Sequence, residues 1–130
     1  MKAYKISERY VEKFWVHLYE DFIPIGLRGL NFNNPMSIEQ ITNEHLMVEL
    51  KATSVSNQER TKNSLKYAIN FWDEHKLKDA YDGGMPAIGL PTAFSCREFY
   101  IYIWNQLFPN ESHIINDKSL YTDIGQFFDV

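Results

Sequence analysis

The run CREFYIYIWNQLF at 96–108 leaves almost no face for water when wound as a helix, because Phe99, Tyr100, Ile101, Tyr102, Ile103, Trp104, Leu107 and Phe108 point in every direction. A helix of this kind is stable only when other elements surround it, so the rest of the chain has to wrap it. Pro109 cannot continue the helix and ends it. Its start is equally marked. Ser95 with Glu98 forms a capping box in which each side chain takes an orphan backbone donor, and Phe94 with Phe99 staples the entry.

The same serine device predicts two more helix starts, Ser37 with Gln40 and Ser56 with Glu59, the first stapled by Met36 and Ile41. After Ser37, the spacing of Ile38, Ile41 and His45 fits a helix to about residue 50, whereas Leu46, Val48 and Leu50 alternate as a strand would. Ser7 opens a fourth helix, expected over 8–22, with Tyr10, Val11, Phe14, Trp15, Leu18, Tyr19 and Phe22 on one stripe. A helix over 57–76 carries Leu65, Ala68, Ile69 and Trp72, and a last one from Asp117 or Ser119 would align Leu120 and Ile124 with Phe127 or Phe128. Pro24, Gly26, Gly29 and the NFNNP run make one long connection, and DGGMPAIGLPT at 82–92 makes another. The expected fold is a mainly α, single-domain bundle of about five helices over 1–130, with long loops and room for one short strand or hairpin.

Phe, Trp and Tyr make up 15% of the 130 residues. Each such side chain buries about 150–250 Å² and Tyr and Trp bring a polar tip, so the interior should be aromatic and partly hydrogen-bonded. Net charge is −4, from 13 basic and 17 acidic residues. That balance excludes the basic footprint that holds a phosphate backbone, and nucleic acid is not an expected partner. The longest apolar run, 99–104, is far short of the roughly 20 residues of a membrane span, and no signal peptide is recognisable. A cytoplasmic protein without a membrane partner is therefore expected. One cysteine forms no internal disulfide, and the absence of CxxC or CxxH spacing gives no zinc framework; neither a metal nor a cofactor is expected.

Cys96 is the residue to weigh for catalysis. At the first helical position, the helix dipole and the neighbouring Arg97 would lower its pKa, and a small cysteine hydrolase or transferase with the 82–92 loop as lid is one alternative reading. Free cysteines are among the most buried residues, and an inert thiol against an aromatic helix is the preferred one. Ser95 is accounted for as a cap, and DGGMP lacks the lysine of a phosphate loop. His17 with Asp21 and His75 with Asp79 stand four apart, but two ligands do not make a metal site. The chain is not expected to be an enzyme.

What remains is recognition. Tyr4, Tyr10, Trp15, Tyr19, Tyr67, Tyr121, Phe127 and Phe128 are more aromatic surface than a bundle of this size can hide, and such residues make binding hot spots. From residue 111 onward four carboxylates, Glu111, Asp117, Asp123 and Asp129, stand against the single Lys118. An acidic, aromatic tail suits a basic protein partner. In its single domain of 130 residues, its acidic tail and its surplus of Tyr and Trp, the chain resembles the bacterial immunity proteins that neutralise a cognate toxin domain, such as those of contact-dependent growth inhibition. No motif is shared, so no family residue transfers. The resemblance implies a stoichiometric inhibitor that covers the active site of a nuclease or similar toxin. The residues assigned to such an interface are Glu111, Asp117, Asp123 and Asp129 for electrostatic steering and Tyr121, Phe127 and Phe128 as anchors. A phage or plasmid accessory protein with a structural role is the other alternative.

Overall fold

The structure, a computed structural model, describes residues 3–125. Five helical rods surround one core, and two short strands join the ends of the chain. In order they are β1 (Tyr4–Ile6), α1 (Glu8–Val16), α2 (Pro35–Ile41), which runs through a π-turn (Thr42–Leu46) into α3 (Met47–Lys51), then α4 (Val55–Phe71), α5 (Glu74–Gly83), α6 (Cys96–Leu107), a 3₁₀ turn (Lys118–Leu120) and β2 (Tyr121–Asp123). The mainly helical class read from the sequence is what the chain adopts.

Helix α6 takes the central position its composition demands. It starts at the Ser95–Glu98 capping box and buries Phe99, Tyr100, Ile103, Trp104 and Leu107. One strip still reaches the surface at Glu98, Tyr102 and Asn105. The hub of the core is Trp15 of α1, which has no exposed surface. Its ring stacks on Phe99 at 5.6 Å and meets Tyr81 and Tyr100 edge-on, each at 5.1 Å. Every polar tip in this cluster is used. The Trp15 indole donates to the Tyr100 hydroxyl at 3.1 Å, Tyr100 donates to the Leu77 carbonyl at 2.6 Å, and Tyr81 donates to the Ile88 carbonyl at 2.6 Å. Burial pushes both phenols well above the ordinary tyrosine range, which keeps them as donors.

Several boundaries differ from those the sequence suggests, each for a local reason. Helix α1 stops at Val16, not Phe22, because the following amides bond three residues back and the Leu18 carbonyl is taken by Ala87 at 2.8 Å. Leu18 stays buried in the turn, but Phe22 lies exposed. Helix α2 begins at Pro35, capped by Asn34, with Ser37 buried inside it. The π-turn inserts one residue's worth of slack, so Leu46 and Leu50 face the core while Val48 faces water; the alternation belongs to a helix. Ser54, not Ser56, caps α4. Helix α4 ends at Phe71: Trp72 turns extended, and Asp73 accepts from the Lys76 amide at 2.8 Å to start α5, so the helix read over 57–76 is two helices. Consequently 82–83 close α5 instead of opening a loop. Gly84 follows where α5 meets α1 so closely that a Cβ there would stand 2.7 Å from the Trp15 carbonyl carbon.

The last helix is reduced to the 3₁₀ turn. In its place β2 pairs in parallel with β1, Tyr4 opposite Tyr121, Lys5 opposite Thr122 and Ile6 opposite Asp123. Ser7 locks this junction: its amide donates to the Ser64 hydroxyl at 3.0 Å, and its own hydroxyl accepts from the Arg9 amide at 3.1 Å and donates to the Gly125 carbonyl.

Candidate interaction face

The tail is held against the outer side of α4 by a series of fixed points. Trp104 donates its indole N–H to the Glu111 carbonyl at 2.8 Å, bringing the chain back after Pro109. The Glu111 carboxylate then meets Lys62 at 3.1 Å and Lys66 at 3.9 Å, two lysines one helical turn apart on α4. One turn further along, Asn70 acts as a two-way clamp, donating to the His113 carbonyl at 2.6 Å and accepting from the Ile115 amide at 3.2 Å. Asp117 caps the 3₁₀ turn through the Ser119 amide at 3.0 Å and its hydroxyl at 2.6 Å. Asp123 accepts from the Gly125 amide at 2.8 Å, in a turn for which Gly125 adopts φ +72°, the left-handed region suited to glycine.

Laid down in this way, the tail completes a row of rings. Tyr4 of β1 packs on Tyr121 of β2 at 5.2 Å, Tyr121 on Tyr67 of α4 at 5.9 Å, and Tyr67 on Phe71 at 4.9 Å. The row is open: Tyr4 is 46% exposed and Phe71 37%, and the hydroxyls of Tyr4, Tyr67 and Tyr121 make no hydrogen bond to a described residue. Partial burial, with Tyr4 and Glu111 nearby, raises the Tyr121 pKa, so its hydroxyl remains a donor at neutral pH. Lys118 lies over the two rings at the α4 end, 4.9 Å from the Phe71 centroid and 5.9 Å from that of Tyr67. The exposed carboxylates of Asp117 and Asp123 flank the strand. Beyond β1, a groove of about 740 Å³ opens toward the first half of α4, lined by Tyr4, Lys5, Val55, Glu59, Arg60 and Asn63.

The structure thus brings Asp117, Tyr121 and Asp123 onto one face and sets Glu111 apart from them in function. Glu111 pairs with two lysines of its own chain, so its single negative charge is more than matched at close range. Phe127, Phe128 and Asp129 lie outside the described residues. Phe71, next to the buried Trp72, is the outer end of the row. Lys118 carried no role in the sequence reading.

A second groove, about 590 Å³, holds Cys96 together with Glu74, His75, Lys78 and Asp82. The position at the start of α6 was expected to lower the thiol's pKa, and the surroundings do the reverse. The Cys96 and Arg97 amides are both taken by the Glu74 carboxylate, at 2.8 and 3.1 Å, while the Arg97 guanidinium reaches back to the Ile69 and Trp72 carbonyls. Burial first, then the carboxylates of Glu74 and Asp82, push the thiol up to about 12. The thiolate that nucleophilic catalysis needs is what this setting withholds.

His75 and Asp79 form an exposed pair at 3.1 Å in the first half of α5. His17, past the end of α1, faces Glu49 at 3.9 Å instead of sharing a helix face with Asp21, and its carbonyl meets the buried His45 ring nitrogen at 2.6 Å. Among the described residues no group of three or more His, Cys, Asp or Glu side chains is arranged to hold a metal ion, and no helix is long and apolar enough to cross a membrane.

Fold and face together define a small mainly α domain that offers an aromatic, acid-flanked surface. No protein-family model, curated protein or solved structure matches the chain.

Proposed function

We propose that the chain is a protein-binding module of the immunity type, which neutralises a basic toxin domain in the bacterial cytoplasm by covering its active site. A nuclease is the toxin class whose substrate-binding surface best suits such an inhibitor. The observation that carries this reading is the half-open row Tyr4, Tyr121, Tyr67 and Phe71 beside the exposed Asp117 and Asp123. Rigid aromatic side chains whose hydroxyls have no partner among the described residues bury large area at small entropic cost, and flanking carboxylates raise the rate at which a basic surface arrives. Thiol chemistry at Cys96 has no comparable support.

The test is the kinetics of the equimolar complex with the toxin domain the chain captures. Asp117→Asn and Asp123→Asn keep a capping oxygen while removing the charge. Together they should slow association by several-fold to about tenfold at low salt, with little effect at high salt. Tyr121→Ala should act on dissociation instead. An unchanged association rate, or no equimolar complex with a basic protein, would contradict the reading.

A further inference from the structure

The row contains a cation seat that the free chain fills with its own side chain. Lys118 is exposed, yet its ammonium rests over Phe71 and Tyr67 instead of extending into water, at 4.9 and 5.9 Å from the ring centroids. The faces of these rings carry the negative part of the aromatic quadrupole, and a cation held there is attracted electrostatically. Asp117 is the residue before Lys118; one of its carboxylate oxygens holds the 3₁₀ turn and the other has no described partner. Tyr121 closes the seat on the β2 side, with a hydroxyl that has no described partner.

We infer that the Tyr67–Phe71 ring pair is the recognition pocket for an arginine side chain of the basic partner, and that Lys118 is a placeholder which that arginine displaces. The inference rests on the reading of a basic partner and adds to it which chemical group is read, and where. Arginine suits the seat better than lysine. Its planar guanidinium stacks on a ring while its edge N–H groups reach a carboxylate such as Asp117, and it gives up its hydration more readily than an ammonium does. Lys118 is well placed to yield, since it occupies the rings from the same short turn and makes no ion pair with another described residue. Its departure leaves the Asp117 cap and the β1–β2 pairing in place.

The test uses a defined probe and the full chain. The peptide acetyl-Arg-Gly-Arg-Gly-Arg-amide is titrated while the aromatic resonances are followed by NMR, with the lysine analogue as a control of equal charge. The arginine peptide should give saturable shifts at Tyr67, Phe71 and Tyr121 and bind more tightly than the lysine one. Lys118→Met should tighten binding by about two- to fivefold, the worth of one exposed cation–ring contact. Lys51→Met, at the end of α3 and the opposite end of α4, removes the same charge and should leave the affinity unchanged. Phe71→Leu keeps an apolar side chain at a partly exposed position and should abolish the preference for arginine.

Equal tightening by Lys118→Met and Lys51→Met would reduce the effect to net charge and overturn the placeholder. Peptide binding that survives Phe71→Leu unchanged would overturn the seat. These outcomes are separate from the fate of the partner reading: a basic toxin domain that binds Phe71→Leu as well as the unaltered chain removes the seat and leaves the module, whereas peptide binding without any basic protein partner does the opposite.

Discussion

Two aromatic clusters in this protein share nearly the same ring spacing and have opposite relations to water. Around Trp15 the centroids stand 4.9 to 5.6 Å apart, and in the row from Tyr4 to Phe71 they stand 4.9 to 5.9 Å apart. Ring contact alone therefore does not separate core from recognition surface. The polar tips do. In the hub each one is bonded to the protein, two of them to backbone carbonyls. In the row three hydroxyls have no described partner, and the rings are partly exposed beside the carboxylates of Asp117 and Asp123. A tyrosine cluster whose hydroxyls are all spent inside the fold is structural, and one whose hydroxyls are unspent is available to something else.

The comparison breaks most readily in stability. Trp15→Ala should cost about 3–5 kcal/mol, the range for removing a large aromatic from a packed core, and so consume much of the roughly 5–15 kcal/mol available to a domain. Phe71→Ala should cost only about 1–2 kcal/mol, since over a third of the residue is already in water. Urea unfolding of the two variants measures both. Similar losses would mean that the row is a second core and not a face.

A smaller effect sharpens the contrast by locating pH sensitivity on the hub side. His17 is shifted below its ordinary value near 6.5, chiefly by burial, with Glu49 opposing and His45 and Lys13 adding to the shift. The native state thus favours the neutral ring, and the unfolded state binds the proton more readily. Stability from this group is fully present above pH 6.5 and is lost as pH falls below that value toward the folded pKa. His17→Gln should flatten the fall in unfolding midpoint between pH 7 and pH 5, by well under the effect of Trp15→Ala. An unchanged slope in that window would show that the His17 environment does not penalise the charge.

The hub was legible in the sequence because it depends on local signals: the Ser95–Glu98 box, the all-round apolar run that follows, and the stripe that places Val11, Phe14 and Trp15 together. The break between α4 and α5 was not, since Trp72 and His75 continue the helical spacing of Leu65, Ala68 and Ile69 across it. Only the Asp73 cap, which by itself looks like any surface aspartate, marks the new start. The face was half legible. Asp117, Tyr121 and Asp123 stood out from composition, whereas their meeting with Tyr4 depends on a parallel pairing between opposite ends of the chain, which no local pattern encodes. The compensation of Glu111 by Lys62 and Lys66 is hidden for the same reason. At Cys96 the local rule was sound and the tertiary setting outweighed it, first because the thiol is buried and then because the Glu74 carboxylate of another helix stands beside it and occupies the very amides that would have favoured a thiolate.

The central claim is that the tail face, and not the groove around Cys96, meets a partner. Hydrogen–deuterium exchange on the chain alone and in its equimolar complex tests it most directly. The account predicts slowed exchange over 4–6 and 113–125, with the amides of 74–96 unchanged. Protection confined to 74–96, with the tail exchanging as it does in the free chain, would contradict it.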